Sequence, residues 1–114
     1  MSTIYKICPA PVWHEAGRDG VYRGSADDRR DGFIHFSAAS QVKGTAARHF
    51  AGQDDLLLIA VDARMLGAAL KWEPSRGGEL FPHLYGDLDP AAATAVFDLP
   101  VRPDGSHDIP ELAS

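Results

Sequence analysis

The 114 residues are enough for one compact domain with a single modest core and leave little room for a second. Hydrophobic residues make up 45% and charged residues 24%, which excludes wholesale disorder. Eleven Lys and Arg against 16 Asp and Glu give a formal charge of −5; this excludes a general nucleic-acid binder and disfavours docking on anionic lipid, while leaving room for one small basic pocket. The single cysteine, Cys8, permits no intramolecular disulfide and no cysteine-rich zinc site. The start of the chain shows no basic stretch followed by a long apolar one, and the longest apolar run, Leu56 to Val61, is far short of the roughly 20 residues that span a bilayer. No signal peptide and no membrane association are expected, and the expected location is cytoplasmic.

In chain order, Thr3 to Cys8 is short, apolar-rich and followed by proline, the pattern of a strand. Pro9-Ala10-Pro11 suits a helix entry, where a missing N–H is not needed. Val12, Trp13 and Ala16 would share that helix's buried face, with Gly17 and Gly20 as its stop. Arg18 to Asp31 interleaves arginines with aspartates and reads as a solvated loop or short helix. Gly32 to Ser37 reads as a second strand with Phe33 and His35 on one side and Ile34 and Phe36 on the other. Ser37 is placed to cap a helix whose apolar stripe is Ala39, Val42, Ala46 and Phe50.

Leu56 to Val61 has no polar alternation, as expected of a central strand covered on both faces. Ala69 to Glu73 is a further short strand, Arg76 to Glu79 a turn, and Leu80 to Gly86 a ring-rich segment. Ala93 to Leu99 reads as a last strand with Ala95, Phe97 and Leu99 on one face. Residues 1–100 thus form the domain, and the proline-containing residues 101–114 are expected to be a loosely held tail. The sum is a small α+β domain.

No phosphate-binding glycine loop, nucleophile elbow or H-E-x-x-H motif occurs. Cys8 reads as a buried structural thiol. His35, mid-strand among apolar residues, is either satisfied in the core or lines a cleft, because a buried imidazole needs partners. His83 and Tyr85, two apart, face the same side of an extended segment. Glu73 follows Trp72 at a strand end. His14, His49 and His107 read as surface residues. Packing accounts equally for these residues: Trp72, Phe81 and Tyr85 as core and rim, Glu73 as a surface partner of Arg76, His83 as a turn cap. Without an H-x-H or H-x-x-x-H pair no metal is expected.

The blocks Gly32-Phe33-Ile34-His35-Phe36-Ser37 and Glu79-Leu80-Phe81-Pro82-His83-Leu84-Tyr85-Gly86, with Gln41, Leu56 to Asp62, Trp72-Glu73, Trp13 and Tyr5 in this order, resemble the bacterial domain of unknown function 952 family over about residues 3 to 99. The resemblance implies a fold grouped with the ADP-ribosyltransferase-like proteins, near the RNA 2′-phosphotransferases. It therefore implies a nucleotide-handling cleft, with nicotinamide adenine dinucleotide (NAD) as a candidate substrate. On that implication His35, Glu73 and His83 are the catalytic candidates. Lys6, Ser37, Trp72 and Tyr85 are the binding candidates: Lys6 near a diphosphate, Ser37 on a ribose or amide, Trp72 or Tyr85 stacked on the pyridinium. Family members commonly carry histidine at Lys6, and of the arginines only Arg23, Arg29, Arg30 and Arg76 are available for a phosphate, none within a matching motif. Removal of an RNA 2′-phosphate is therefore not expected. An enzyme, a non-catalytic small-molecule or nucleotide binding module, and a metal-assisted hydrolase with His35 and His83 on one ion all remain open.

Overall fold

The computed structural model describes residues 2–113. Among the described residues seven strands form two antiparallel sheets, accompanied by three α-helices. The elements are β1 (Thr3–Pro9), α1 (Ala10–Asp19), α2 (Ala26–Asp31), β2 (Ile34–His35), β3 (Ser37–Ala38), α3 (Val42–His49), β4 (Leu56–Asp62), β5 (Leu70–Pro74), β6 (Leu80–Leu84) and β7 (Ala93–Asp98).

The larger sheet runs β3-β1-β4-β7 and the smaller β2-β6-β5. β4 lies between β1 and β7, and its two sets of alternate side chains enter different cores, which is why its sequence is apolar throughout. Leu57, Ile59 and Val61 join Ile4 and Cys8 of β1 against Trp13 and Ala16 of α1 and Ile34, Phe36 and Leu84 from the region of the small sheet. Leu56, Leu58 and Ala60 join Tyr5 and Ile7 against Val42 and Ala46 of α3. The α+β class is as expected, and Cys8 is a buried thiol.

Four local expectations are corrected. Gly17 lies inside α1, and the helix ends at Gly20, whose φ of 76° suits glycine. Ser37 is not a helix cap: it pairs with Tyr5 across the β1–β3 ladder, and a 3₁₀ turn over Ala39–Gln41 precedes α3. His107 is buried, its Nε2–H donating to the Gln53 carbonyl at 2.7 Å. The segment after Pro100 is not a loose tail, because it carries its own anchors. Val101 bridges His107, the Asp108 amide donates to the Pro100 carbonyl at 2.8 Å, Ile109 and Leu112 pack on the second core, and the Tyr5 hydroxyl donates to the Ala113 carbonyl at 2.6 Å.

Candidate functional site

A cleft of about 440 Å³ opens where β1, α2, the β2–β3 segment, α3 and the start of β6 meet. Its position follows from register. In the small sheet His35 of β2 lies directly opposite His83 of β6, so the two imidazoles share one face, with ring centroids 5.6 Å apart and planes at 70°. Both line the cleft.

Each histidine is held at Nδ1 by a carboxylate. His83 Nδ1–H donates to Glu73 Oε1 at 2.9 Å, and the Tyr85 hydroxyl donates to the same oxygen at 2.7 Å. Glu73 sits opposite Phe81 on β5, one step diagonal from His83, close enough for a glutamate to reach across. The bond from Tyr85, then that from His83, holds the Glu73 carboxyl below the usual carboxylate range, and Tyr85 is correspondingly pushed up. His83 Nε2 makes no hydrogen bond among the described residues and is the ring atom left for a ligand. Phe33 covers the pair from outside the cleft lining, stacked on His83 at 4.1 Å between centroids and tilted against His35 at 4.6 Å.

His35 Nδ1–H donates to Asp28 Oδ1 at 2.7 Å, while its Nε2 lies 3.0 Å from Asp31 Oδ2. Asp28 is the centre of this half of the site and is only 2% exposed. It accepts from Lys6 Nζ (2.8 and 2.9 Å), the Ser25 amide (2.9 Å), the Ser25 hydroxyl (3.1 Å), the His35 amide (3.1 Å) and the His35 ring. Burial alone would raise its carboxyl; the His35 bond and the Lys6 charge and bond outweigh burial and hold it well below the ordinary value. Gly24 makes room for it: a Cβ there would lie 2.6 Å from the Asp28 Cβ, and its φ is +99°.

The third group is Arg76. Its guanidinium lies 4.9 Å above the Phe81 ring centroid, and Nη1–H reaches Thr45 Oγ1 at 3.5 Å. Thr45 Oγ1 is in turn 3.0 Å from Ser37 Oγ. Gln41 ties the neighbouring loop down, donating from Nε2 to Glu79 Oε1 and to the Leu80 carbonyl.

The seven candidate residues therefore divide. Lys6, Ser37, His35 and His83 line the cleft, and Glu73 and Tyr85 stand behind His83 outside its lining. Lys6 is buried with its ammonium on Asp28, not free to approach a diphosphate. Trp72 neighbours Glu73 in β5, pairs with Pro82 and is 43% exposed outside the lining, because successive strand residues face opposite ways. Asp28 and Asp31 are the residues the sequence reading missed as site residues, and of the four arginines it held available for a phosphate, Arg30 and Arg76 line the cleft. Ser25-x-x-Asp28 is a capping-box pattern, and it was the available signal that this aspartate turns back toward the chain. Among the described residues no group of three or more His, Cys, Asp or Glu is arranged to hold a metal ion.

The protein CC0527 from Caulobacter crescentus is similar throughout. Its crystal structure is 48% identical, with 94% of each chain covered and a TM-score of 0.91. Its solution structure is 49% identical, with 93% of this chain and 91% of that one covered and a TM-score of 0.83. No curated protein matches. The profile of the family described as "Protein of unknown function (DUF952)" matches residues 7–96, and the chain belongs to that family.

Proposed function

We propose that the cleft is the active site of a nucleotide-handling transferase on a fold akin to the ADP-ribosyltransferase-like proteins, with NAD and ADP-ribose as the first substrates to test. One observation carries the reading: two histidines, each oriented at Nδ1 by its own carboxylate, share one cleft. At His83 that arrangement leaves Nε2 as the ring nitrogen to meet a ligand, the usual preparation of an imidazole for proton transfer, whereas at His35 the second nitrogen already faces Asp31 at 3.0 Å. On the α2 wall the carboxylates of Asp27, Asp28 and Asp31 outnumber their cation partners Lys6 and Arg30 by one, an excess that suits the positive charge of a pyridinium or of an oxocarbenium-like ribose. Bound NAD would supply a ribosyl carbon whose nicotinamide leaves as a neutral group. His83 Nε2 is placed to take the proton of the attacking hydroxyl, water included, as its oxygen joins that carbon. His35, already donating to Asp28, orients the substrate. Glu73 and Tyr85 act through His83 and are positioning residues.

The test is a thermal-shift titration with NAD and with ADP-ribose, followed by chromatographic detection of released nicotinamide, on the wild type and on His83→Gln. Saturable stabilisation with release that disappears in the variant supports the reading. Neither stabilisation nor release at millimolar ligand refutes it. A second reading, a binding module that kept the cleft without a reaction, is favoured by the commitment of the Lys6 ammonium to Asp28. Stabilisation without release in either protein selects it.

A further inference from the structure

We infer that Arg76, Thr45 and Ser37 form a subsite for a phosphoryl anion, so the cleft's ligand is a phosphate or diphosphate ester of a soluble small molecule. The inference deepens the proposed function by naming its substrate class, but its physical basis is independent of the histidines. Three permanent cations line the cleft. Lys6 is spent on Asp28, and Arg30 on Asp27 and Asp31. Arg76 has no carboxylate within ion-pair distance among the described residues, although 16 acidic residues are available in the chain.

This unpaired guanidinium is also held in place. Phe81 supports one face, Thr45 Oγ1 takes one N–H, and Gly44 leaves space where a Cβ would stand 3.1 Å from Nη2. Fixing an arginine's rotamers in advance removes much of the entropy lost on binding and leaves the other N–H groups of the planar fork for a ligand. Either hydroxyl can donate in the Ser37–Thr45 bond, and with Thr45 donating to Ser37 Oγ while accepting from Arg76 the Ser37 O–H is available to the same ligand. Guanidinium and hydroxyl donors together suit a tetrahedral oxyanion better than a planar carboxylate. The cleft is then divided, with carboxylates on the α2 wall, a free cation on the α3 and Phe81 wall, and the two histidines with them.

The test is isothermal titration with inorganic pyrophosphate, and with acetate as the carboxylate control, at low and at physiological salt. The proteins are wild type, Arg76→Gln, Gly44→Ala and Arg18→Gln, the last an exposed arginine away from the cleft. The expected result is pyrophosphate binding that Arg76→Gln weakens at least tenfold and Arg18→Gln leaves unchanged. Gly44→Ala separates binding from folding: alanine favours the helix, so this variant should melt no lower than wild type, yet bind severalfold more weakly because its Cβ crowds Nη2. No pyrophosphate binding by wild type, equal binding by Arg76→Gln, or preference for acetate overturns the inference. Binding that depends on Arg76 without nicotinamide release from NAD sustains the subsite and refutes only the transferase chemistry.

Discussion

Replacing Asp28 by asparagine tests the central electrostatic feature of the site. The side chains of Lys6 and Asp28 are 6% and 1% exposed, so the ion pair is inside the protein. Removing one member of such a pair costs about 3–5 kcal/mol, since the survivor is left charged and uncompensated. The new amide also brings two N–H donors into a position ringed by donors from Lys6, Ser25 and His35, adding about 1 kcal/mol or more for each group left unmatched. A loss of about 4–6 kcal/mol follows, against a total stability of about 5–15 kcal/mol for a domain of this kind. Urea unfolding followed through the fluorescence of buried Trp13 measures it. Lys6→Met combined with Asp28→Leu removes both charges and should recover the part of the loss due to the uncompensated Lys6 charge, while the Ser25 and His35 donors stay unmatched. A loss below about 1 kcal/mol in Asp28→Asn at an unchanged urea slope would refute the argument, since it would mean that Lys6 finds water or another partner at little cost.

The depressed Asp28 carboxyl sets a pH dependence. Unfolded, it titrates near 3.9; folded, well below that, so in acid the unfolded chain takes up a proton that the native state refuses. The stabilisation is complete above about pH 5 and is lost as pH falls through about 4 and below. Wild-type Tm should drop along this limb, and Asp28→Asn should show a shallower drop. Tyr85→Phe should move the Glu73 titration up toward the ordinary glutamate value, read by carboxyl-carbon NMR; no movement would remove Tyr85 as its main cause. Gly24→Ala and Gly20→Ala should differ. Both backbones have positive φ, which costs a non-glycine residue about 1–2 kcal/mol, but only at position 24 does the Cβ meet Asp28, so its loss should be the larger by about 1 kcal/mol or more in urea titration. Deleting residues 101–114 should cost about 2–4 kcal/mol from the lost burial of Ile109 and Leu112 and the lost Tyr5 bond, and a truncated chain as stable as the whole would show that the segment does not support the second core.

The elements that were legible in the sequence are those whose burial leaves a local pattern. β4 is apolar at every position from Leu56 to Val61, and both of its faces are covered. The apolar stripe Ala39, Val42, Ala46 and Phe50 packs on the second core as its spacing required, with Val42 and Ala46 inside α3 and Ala39 and Phe50 just beyond its ends. What could not be read were partners distant in the chain. His107 is polar and sits among Pro, Gly and Asp, yet Gln53 holds it 54 residues away. Asp28 lies in a run with Arg29, Arg30 and Asp31, and its three acidic neighbours in that run, Asp19, Asp27 and Asp31, are exposed. Local composition described those three correctly and missed the fourth, because its partner, Lys6, comes from 22 residues earlier.

The same limit explains how the candidate residues sorted themselves. The family resemblance implies site roles for both Trp72 and Glu73, but adjacent residues of a strand point to opposite faces, so no one wall of a cleft can use both. His35 and His83 are far apart in sequence and became neighbours through a single cross-strand pairing. That pairing also explains why Glu73 supports His83 without entering the cleft. On the outer strand β5 a long carboxylate reaches diagonally to the imidazole from the side, leaving the opposite ring nitrogen without a hydrogen bond among the described residues. Asp28 likewise holds His35 at Nδ1 from α2, but there the opposite ring nitrogen faces Asp31 at 3.0 Å. Two unrelated elements thus arrive at the same solution, a carboxylate on Nδ1, whereas packing alone would have required only that each imidazole find some partner. The asymmetry assigns the roles: His83, with Nε2 left over, is the group prepared for proton transfer, and His35, held at both nitrogens, is its fixed neighbour in the cleft.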